Sequence, residues 1–297
     1  MEFVPFHNVG SERWESFCRE SDSAWFRHTE SWLAFCSALD PLNENLSFGV
    51  FDGDEMLAAV PLMRQPISES GGLFEFLTAG TPVVFPATKN GLSDREKEKI
   101  LISVFEEIDR IAKLKNVAHA RFFIDPLSKS YLENSSRINA LTSFGFRDVS
   151  MTTNIIDLGL SEDALFGRIR KGFRYDIRKI AKNNFSVDFF GADNITDDLF
   201  REYKNIYFSA AGKEVGSPLR WENTLRFIRD GNGILAMEKD ASGKYISGIV
   251  VLGYKNKAYY AFGATAADFK GVNGISHLLQ WEMIRYLKEH HFSHYEL

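Results

Sequence analysis

The chain has 297 residues, 44% of them hydrophobic, a formal net charge of −5, and only two cysteines, Cys18 and Cys36. That length and apolar content can bury a large core and give two domains as the natural prior. The mild negative charge excludes a general nucleic-acid binder but leaves room for a local basic patch. Two cysteines make no disulfide framework and fit a reducing compartment. Met1-Glu2-Phe3-Val4-Pro5 lacks the basic and apolar segments of a signal peptide, and no apolar run approaches the ~18–20 residues that span a bilayer. The expectation is a soluble, cytoplasmic protein with no transmembrane segment.

In chain order, Phe3–Pro5 is a short strand. Ser11–Glu20 is a helix with Trp14, Phe17 and Cys18 on one face, and Thr29 precedes a second helix that Pro41 stops. Leu46–Phe51 and Met56–Met63 are strands joined by the turn Asp52-Gly53-Asp54-Glu55. Leu73–Leu77 is a further strand, and Gly80–Asn90, with Pro82 and Pro86, an irregular loop. Ser93 caps a long helix, about Asp94–Lys115, followed by a strand over Val117–Ile124 that ends in Asp125-Pro126. A helix over Ser135–Ser143 and a β stretch at Met151–Leu158 lead into the second half.

There, helices are expected at Ser161–Ile169 and Phe173–Asn183, a strand at Phe185–Phe190, helices at Thr196–Ala211 and Pro218–Asp230, and a strand at Ile234–Glu238. Lys244–Tyr254 and Ala258–Ala264 form a hairpin about Lys255-Asn256-Lys257. A glycine-containing loop, Asp268–Gly274, opens a helix over Ile275–His291, and a strand closes the chain. Each half runs paired helices, hairpin, long helix, strand. The repeated order suggests two copies of one α/β unit, 1–150 and 151–297.

Two motifs carry chemistry. The segment Arg168–Lys182 holds seven basic residues and one acid. On a helix, Phe173, Ile177, Ile180 and Ala181 make an apolar stripe, while Arg174, Arg178 and Lys182 form a separate row with Lys171 three before Arg174. Arginines so placed suit bidentate phosphate recognition; a solvated charged face is the equally weighted plain reading. In the second motif, Lys270-Gly271-Val272-Asn273-Gly274-Ile275-Ser276 brings a basic residue and two glycines to a helix start, where unpaired N–H groups favour an anion. It resembles the pyrophosphate loop of the acetyl-coenzyme-A-binding GNAT transferases, one residue off in spacing and with Ser276 where a second close glycine or alanine is usual. His277 would face away from the helix row Ile275, Leu279, Met283 and Leu287. His290, His291 and His294 match no zinc spacing, and no metal is expected. Tyr260 sits mid-strand just before the loop.

Several segments together resemble the FemAB-type transferases: Arg174–Lys182 before a strand, Leu278–Tyr286 before His294–Leu297, Phe122–Pro126, and Trp32. The resemblance implies an α/β fold of two tandem GNAT-like domains, each a mixed, mostly antiparallel sheet flanked by helices. It implies an acyltransferase that modifies an amine on a nucleotide- or lipid-linked precursor of the cell envelope, in peptidoglycan or polysaccharide biosynthesis. By position, Asp125 and Tyr260 would be catalytic, and Arg174, with Lys171 and Arg178, would hold a phosphate-bearing substrate. Lys270, Gly271 and Gly274 would contact a donor such as acetyl-coenzyme A or an aminoacyl-tRNA. No further cofactor and no DNA partner are expected. The family usually continues beyond the point matching Tyr295-Glu296-Leu297, so the C-terminal domain is expected to be shortened. The alternatives are an acetyl-coenzyme-A-dependent N-acetyltransferase acting on an amino sugar or small amine, and a catalytically inactive GNAT-like binding module.

Overall fold

The computed structural model describes residues 1–67, 72–78, 81–133 and 139–297. The chain divides into two compact units, Met1–Met151 and Thr152–Leu297.

The first unit begins with β1 (Glu2–Pro5), α1 (Phe6–Val9), α2 (Ser11–Glu20) and α3 (Glu30–Ala38). A run of strands follows: β2 (Glu44–Asn45), β3 (Phe48–Asp52), β4 (Glu55–Val60), β5 (Met63–Pro66), β6 (Phe74–Phe76), β7 (Val83–Val84) and β8 (Ala87–Thr88). Then come α4 (Asp94–Leu114), β9 (Val117–Ala120), β10 (Phe122–Phe123) and α5 (Lys129–Leu132). The strands form sheets β1-β3-β4-β8 and β2-β5-β6-β9 and the pair β7-β10.

The expected hairpin is β3 and β4, turning at Gly53 with φ 55°. It breaks before β5, where the buried Ser47 hydroxyl accepts the Leu62 N–H at 2.9 Å in place of a ladder carbonyl. α4 has a capping box: the Ser93 side chain accepts the Glu96 N–H and the Glu96 carboxylate accepts the Ser93 N–H. Its apolar face buries Ile100, Val104, Phe105 and Ile108.

Three expectations change here. The stretch read as an irregular loop contains β7 and β8; two-residue strands on either side of Pro86 carry too little pattern to show in sequence. The strand expected over Val117–Ile124 divides at Arg121 into β9 beside β6 and β10 beside β7. Of the helix expected at Ser135–Ser143, residues 135–138 lie outside the described residues, and Ala140–Phe144 is a 3-10 turn ended by Gly145.

The second unit contains β11 (Ile155–Asp157), α6 (Glu162–Arg168), α7 (Lys171–Lys182), β12 (Ser186–Phe190), α8 (Asp197–Ala211) and α9 (Pro218–Arg229). It ends with β13 (Gly233–Lys239), β14 (Tyr245–Tyr254), β15 (Lys257–Thr265), α10 (Ile275–Glu289) and β16 (His294–Glu296). One six-stranded sheet has the order β11-β16-β15-β14-β13-β12. It is antiparallel except where β15 runs parallel to β16. On one face Ala236, Ile249 and Val251 pack under Leu279, Met283 and Leu287 of α10 and Ile177 and Ile180 of α7. The other face is covered by α8 and α9. There Tyr203 lies so close to Gly248 that a Cβ at that glycine would stand 2.7 Å from its ring.

This is the α/β architecture expected, with mixed, mostly antiparallel sheets flanked by helices. Among the described residues no helix is long and apolar enough to cross a membrane.

Candidate functional site

The site is built on an irregularity in β15. In the ladder with β14, Val250 faces Phe262 but Val251 faces Tyr260, so Ala261 is an extra residue. Side chains alternate along a strand, and a bulge resets that alternation. Phe262 thus joins the rings of Tyr203, Tyr207 and Trp221 on the α8 side. Tyr260, two residues earlier, packs on the α10 side.

Gly263 makes room for it. A Cβ there would stand 2.5 Å from Ile249 Cγ2, 2.8 Å from the Gly248 carbonyl and 3.1 Å from the Tyr260 hydroxyl. Burial, then the neighbouring Tyr207 and Tyr259, push the Tyr260 phenol above its usual range. It is therefore a neutral hydrogen-bond donor at physiological pH.

The hydroxyl looks onto a cavity of about 210 Å³ whose polar lining is Ser247, Tyr260, Thr265, Ser276 and Gln280, with Gly263 in its floor. Ser247 Oγ donates to the Ala264 carbonyl at 3.0 Å and lies 2.9 Å from Thr265 Oγ1. Gln280 Oε1 accepts from the buried Tyr295 hydroxyl at 2.9 Å, which fixes the amide orientation. Two sets of backbone groups border this space. β16 pairs with β15 only at Lys257–Tyr259, so from Tyr260 to Thr265 that edge has no strand partner among the described residues. At α10 the cap is Gly274, and among the described residues no side-chain cap bond reaches the first-turn N–H groups, which carry the positive end of the helix dipole.

One strand further in, Glu238 is fully buried on the same face. It pairs in register with Ser247, as Ala236 pairs with Ile249. Among the described residues neither carboxylate oxygen has a hydrogen-bond partner. Burial alone pushes its carboxyl up to about 9, so it holds its proton at neutral pH.

α7 forms as expected, but its apolar stripe is narrower. Ile177 and Ile180 are buried, whereas Phe173 is 41% exposed and Ala181 is exposed. Phe173 stacks on His277 with ring centroids 4.0 Å apart. His277, expected to face away from the buried row of α10, is half-buried, 3.7 Å from the Asp176 carboxylate. Lys171 and Arg178 are exposed and Arg174 half-buried. The Arg178 guanidinium lies 5.0 Å from the Phe166 ring centroid. Among the described residues no salt bridge engages any of the seven cations from Arg168 to Lys182.

The glycine loop divides its duties. Lys270 Nζ donates to the Ala210 carbonyl at 2.5 Å, which ties the loop to the end of α8. Gly271 adopts φ 90° with open space about it. Gly274 adopts φ 106°, and a Cβ there would stand 2.5 Å from Ile180 Cγ1 and 3.0 Å from the Asp176 carbonyl, so its smallness serves the α7–α10 contact. Asp125 belongs to the first unit, 3% exposed, where its carboxylate accepts the Leu127 N–H at 2.9 Å.

Tyr260 and the start of α10 therefore meet at one cavity, while Lys270 is engaged at α8. Sequence reading missed Ser247, Thr265, Gln280 and Glu238. Only Glu238 left a signal: an acid at an inward position of an otherwise apolar strand, Ile234-Leu235-Ala236-Met237-Glu238. Among the described residues no group of three or more His, Cys, Asp or Glu side chains converges as a metal site.

No protein-family model matches the chain, and no curated protein matches it by sequence. Solved structures do. FemX matches with a TM-score of 0.69 at 13% identity, covering all of this chain and 88% of its own. L-PGS from Bacillus licheniformis matches at 0.57 and 13%, covering 97% of this chain and 75% of its own. A C-terminal domain from Agrobacterium fabrum, named as that of a putative lysylphosphatidylglycerol synthetase, matches at 0.58 and 12%, covering 97% and 77%. The chain shares the fold of FemX along its whole length.

Proposed function

We propose that the chain is an N-acyltransferase that moves an aminoacyl or other acyl group onto an amine of a phosphate-bearing cell-envelope precursor. The observation that carries this reading is the cavity at the open edge of β15, where a neutral phenol and the uncapped start of α10 converge. Carbonyl addition needs preorganised donors aimed at the developing oxyanion. The Tyr260 hydroxyl and the first N–H groups of α10 are donors of that kind. The likeness to FemX, and to proteins named for the synthesis of a lysyl lipid, supports the same reaction class.

In the reaction, the acceptor nitrogen forms a bond to the acyl carbon, the ester or thioester bond to the donor breaks, and the nitrogen loses a proton. That proton passes to solvent; an Asp125→Asn variant with full turnover would exclude the role that the resemblance gives Asp125. Arg174, Lys171 and Arg178 supply the charge for the phosphate-bearing partner and act through orientation. The donor, acetyl-coenzyme A or an aminoacyl-tRNA, is a substrate and not a resident cofactor.

The test is transfer of a radiolabelled acyl group from each donor to amine acceptors, with wild type and Tyr260→Phe compared. Losing one oxyanion donor costs about 10²–10³ in turnover in known cases. A Tyr260→Phe variant of unchanged stability should lose at least tenfold. Unchanged turnover would remove Tyr260 from the site.

A further inference from the structure

The outward face of α7 is larger than the phosphate contact proposed for Arg174, Lys171 and Arg178. At about 3.6 residues per turn, Lys171, Tyr175, Arg178, Lys179 and Lys182 fall on one side of the helix, opposite the buried Ile177 and Ile180. All five are exposed, Tyr175 to 65%. The helix holds one acid, Asp176, which is turned away, half-buried and 3.7 Å from His277 of α10. Among the described residues no salt bridge engages the four cations. The chain as a whole carries a net charge of −5, so this face is a local reversal of sign.

A solvated face tolerates these charges, but like pairs three or four residues apart repel. Lys171 and Arg174, Arg174 and Arg178, and Arg178 and Lys182 are pairs of that kind. The helix dipole favours Lys179 and Lys182 in the last turn and opposes Lys171 and Arg174 in the first. An external anionic partner would offset both effects. The shape of the face says which partner. A helix face is convex, whereas single-stranded nucleic acid is tracked in a charged groove. A bilayer presents a plane of headgroups, which meets a convex face along its crest. Tyr175 stands on that crest, and tyrosine favours the headgroup level, where its ring meets the apolar boundary and its hydroxyl meets water. Two further exposed apolar side chains border the helix: Phe173 in its first turn, and Val272 in the loop that enters α10.

We infer that the outward face of α7 docks the chain on an anionic bilayer, with Lys171, Arg178, Lys179 and Lys182 among the headgroups and Tyr175 at their level. The attraction is electrostatic and acts within a Debye length of the surface. Each basic residue near such a surface strengthens binding about fivefold. The inference goes beyond the transferase reading and does not depend on it, because binding to a bilayer needs no turnover.

The test is co-sedimentation of the full chain with vesicles of phosphatidylcholine alone and of phosphatidylcholine with one-third phosphatidylglycerol. Wild type should bind the mixed vesicles at least tenfold more tightly than the neutral ones, and raised salt should remove the difference. The variants leave Lys171, Arg174 and Arg178 in place, so a loss of vesicle binding is not a loss of the proposed phosphate contact. Lys179→Gln combined with Lys182→Gln should weaken binding to the mixed vesicles at least tenfold, and Tyr175→Ser severalfold. Lys179→Arg combined with Lys182→Arg, which keeps the charge, should bind as wild type does. Equal binding to the two kinds of vesicle, or an unchanged affinity in the double glutamine variant, would overturn the inference. Binding of an RNA hairpin that the same variant weakens tenfold, with neither vesicle bound, would give the face to nucleic acid and overturn it as well. Charge-dependent vesicle binding in a chain that transfers from no donor would uphold the docking face and refute the transferase reading.

Discussion

Glu238→Gln makes a pH-dependent prediction about stability that needs no substrate. The folded carboxyl titrates at about 9, against an ordinary value of 4.5, because burial disfavours its charged form and, among the described residues, no hydrogen bond offsets this. Between those two values the folded chain holds a proton there that the unfolded chain has lost. The folded state binds more protons, so stability falls as pH rises through this window. One pKa unit corresponds to about 1.4 kcal/mol, so by pH 7 this one group removes about 3 kcal/mol relative to pH 4.5. Glutamine has the same shape and no ionisation. Its advantage over wild type should therefore widen by about 1.3 kcal/mol per pH unit from pH 5 to 8. Urea denaturation of both proteins at pH 5, 6, 7 and 8, compared by midpoint at constant slope, reads this directly. A difference that stays flat across the series would show that Glu238 is ionised or paired in the folded chain and would refute the reasoning from its burial.

Two glycine substitutions test the packing that frames the site. Gly248→Ala places a methyl 2.7 Å from the Tyr203 ring, which is itself fully buried. Overpacking of this kind costs about 1–3 kcal/mol, and the denaturation midpoint should fall accordingly; an unchanged midpoint would show that α8 can yield. Gly274→Ala meets both a positive φ of 106° and the Ile180 side chain at 2.5 Å. It should cost more than the ~1 kcal/mol of an ordinary helix glycine and weaken the α7–α10 contact, read as faster amide exchange in both helices; slower exchange would contradict the role assigned to Gly274.

Much of the element order was legible, for reasons that local chemistry explains. Ser93 caps its helix as read, and Thr29, read as preceding a helix, caps that one, because a hydroxyl before an amphipathic run satisfies an otherwise orphaned N–H. The 3.6-residue spacing of Ile275, Leu279, Met283 and Leu287 fixed the buried row of α10. The helix over Lys171–Lys182 also follows from its sequence, as do its cations, which a solvated face tolerates at any spacing. The two-residue strands β7 and β8 did not follow, since a strand that short has no period to detect.

By itself, then, the sequence determined that this is an α/β chain with a basic helix, a long hairpin and a glycine loop entering a helix. It also placed Tyr260 on a strand beside that loop. Only the tertiary structure decided which way Tyr260 points. Along a regular strand it would share a face with Phe262, and a single extra residue, Ala261, sends the two rings to opposite sides of the sheet. Tertiary contacts also sent Lys270 to the Ala210 carbonyl and pressed Gly274 against Ile180. They aligned Glu238 with Ser247 and Thr265 across three strands. That alignment depends on strand register. Register is set by pairing partners, to which local residue patterns are blind.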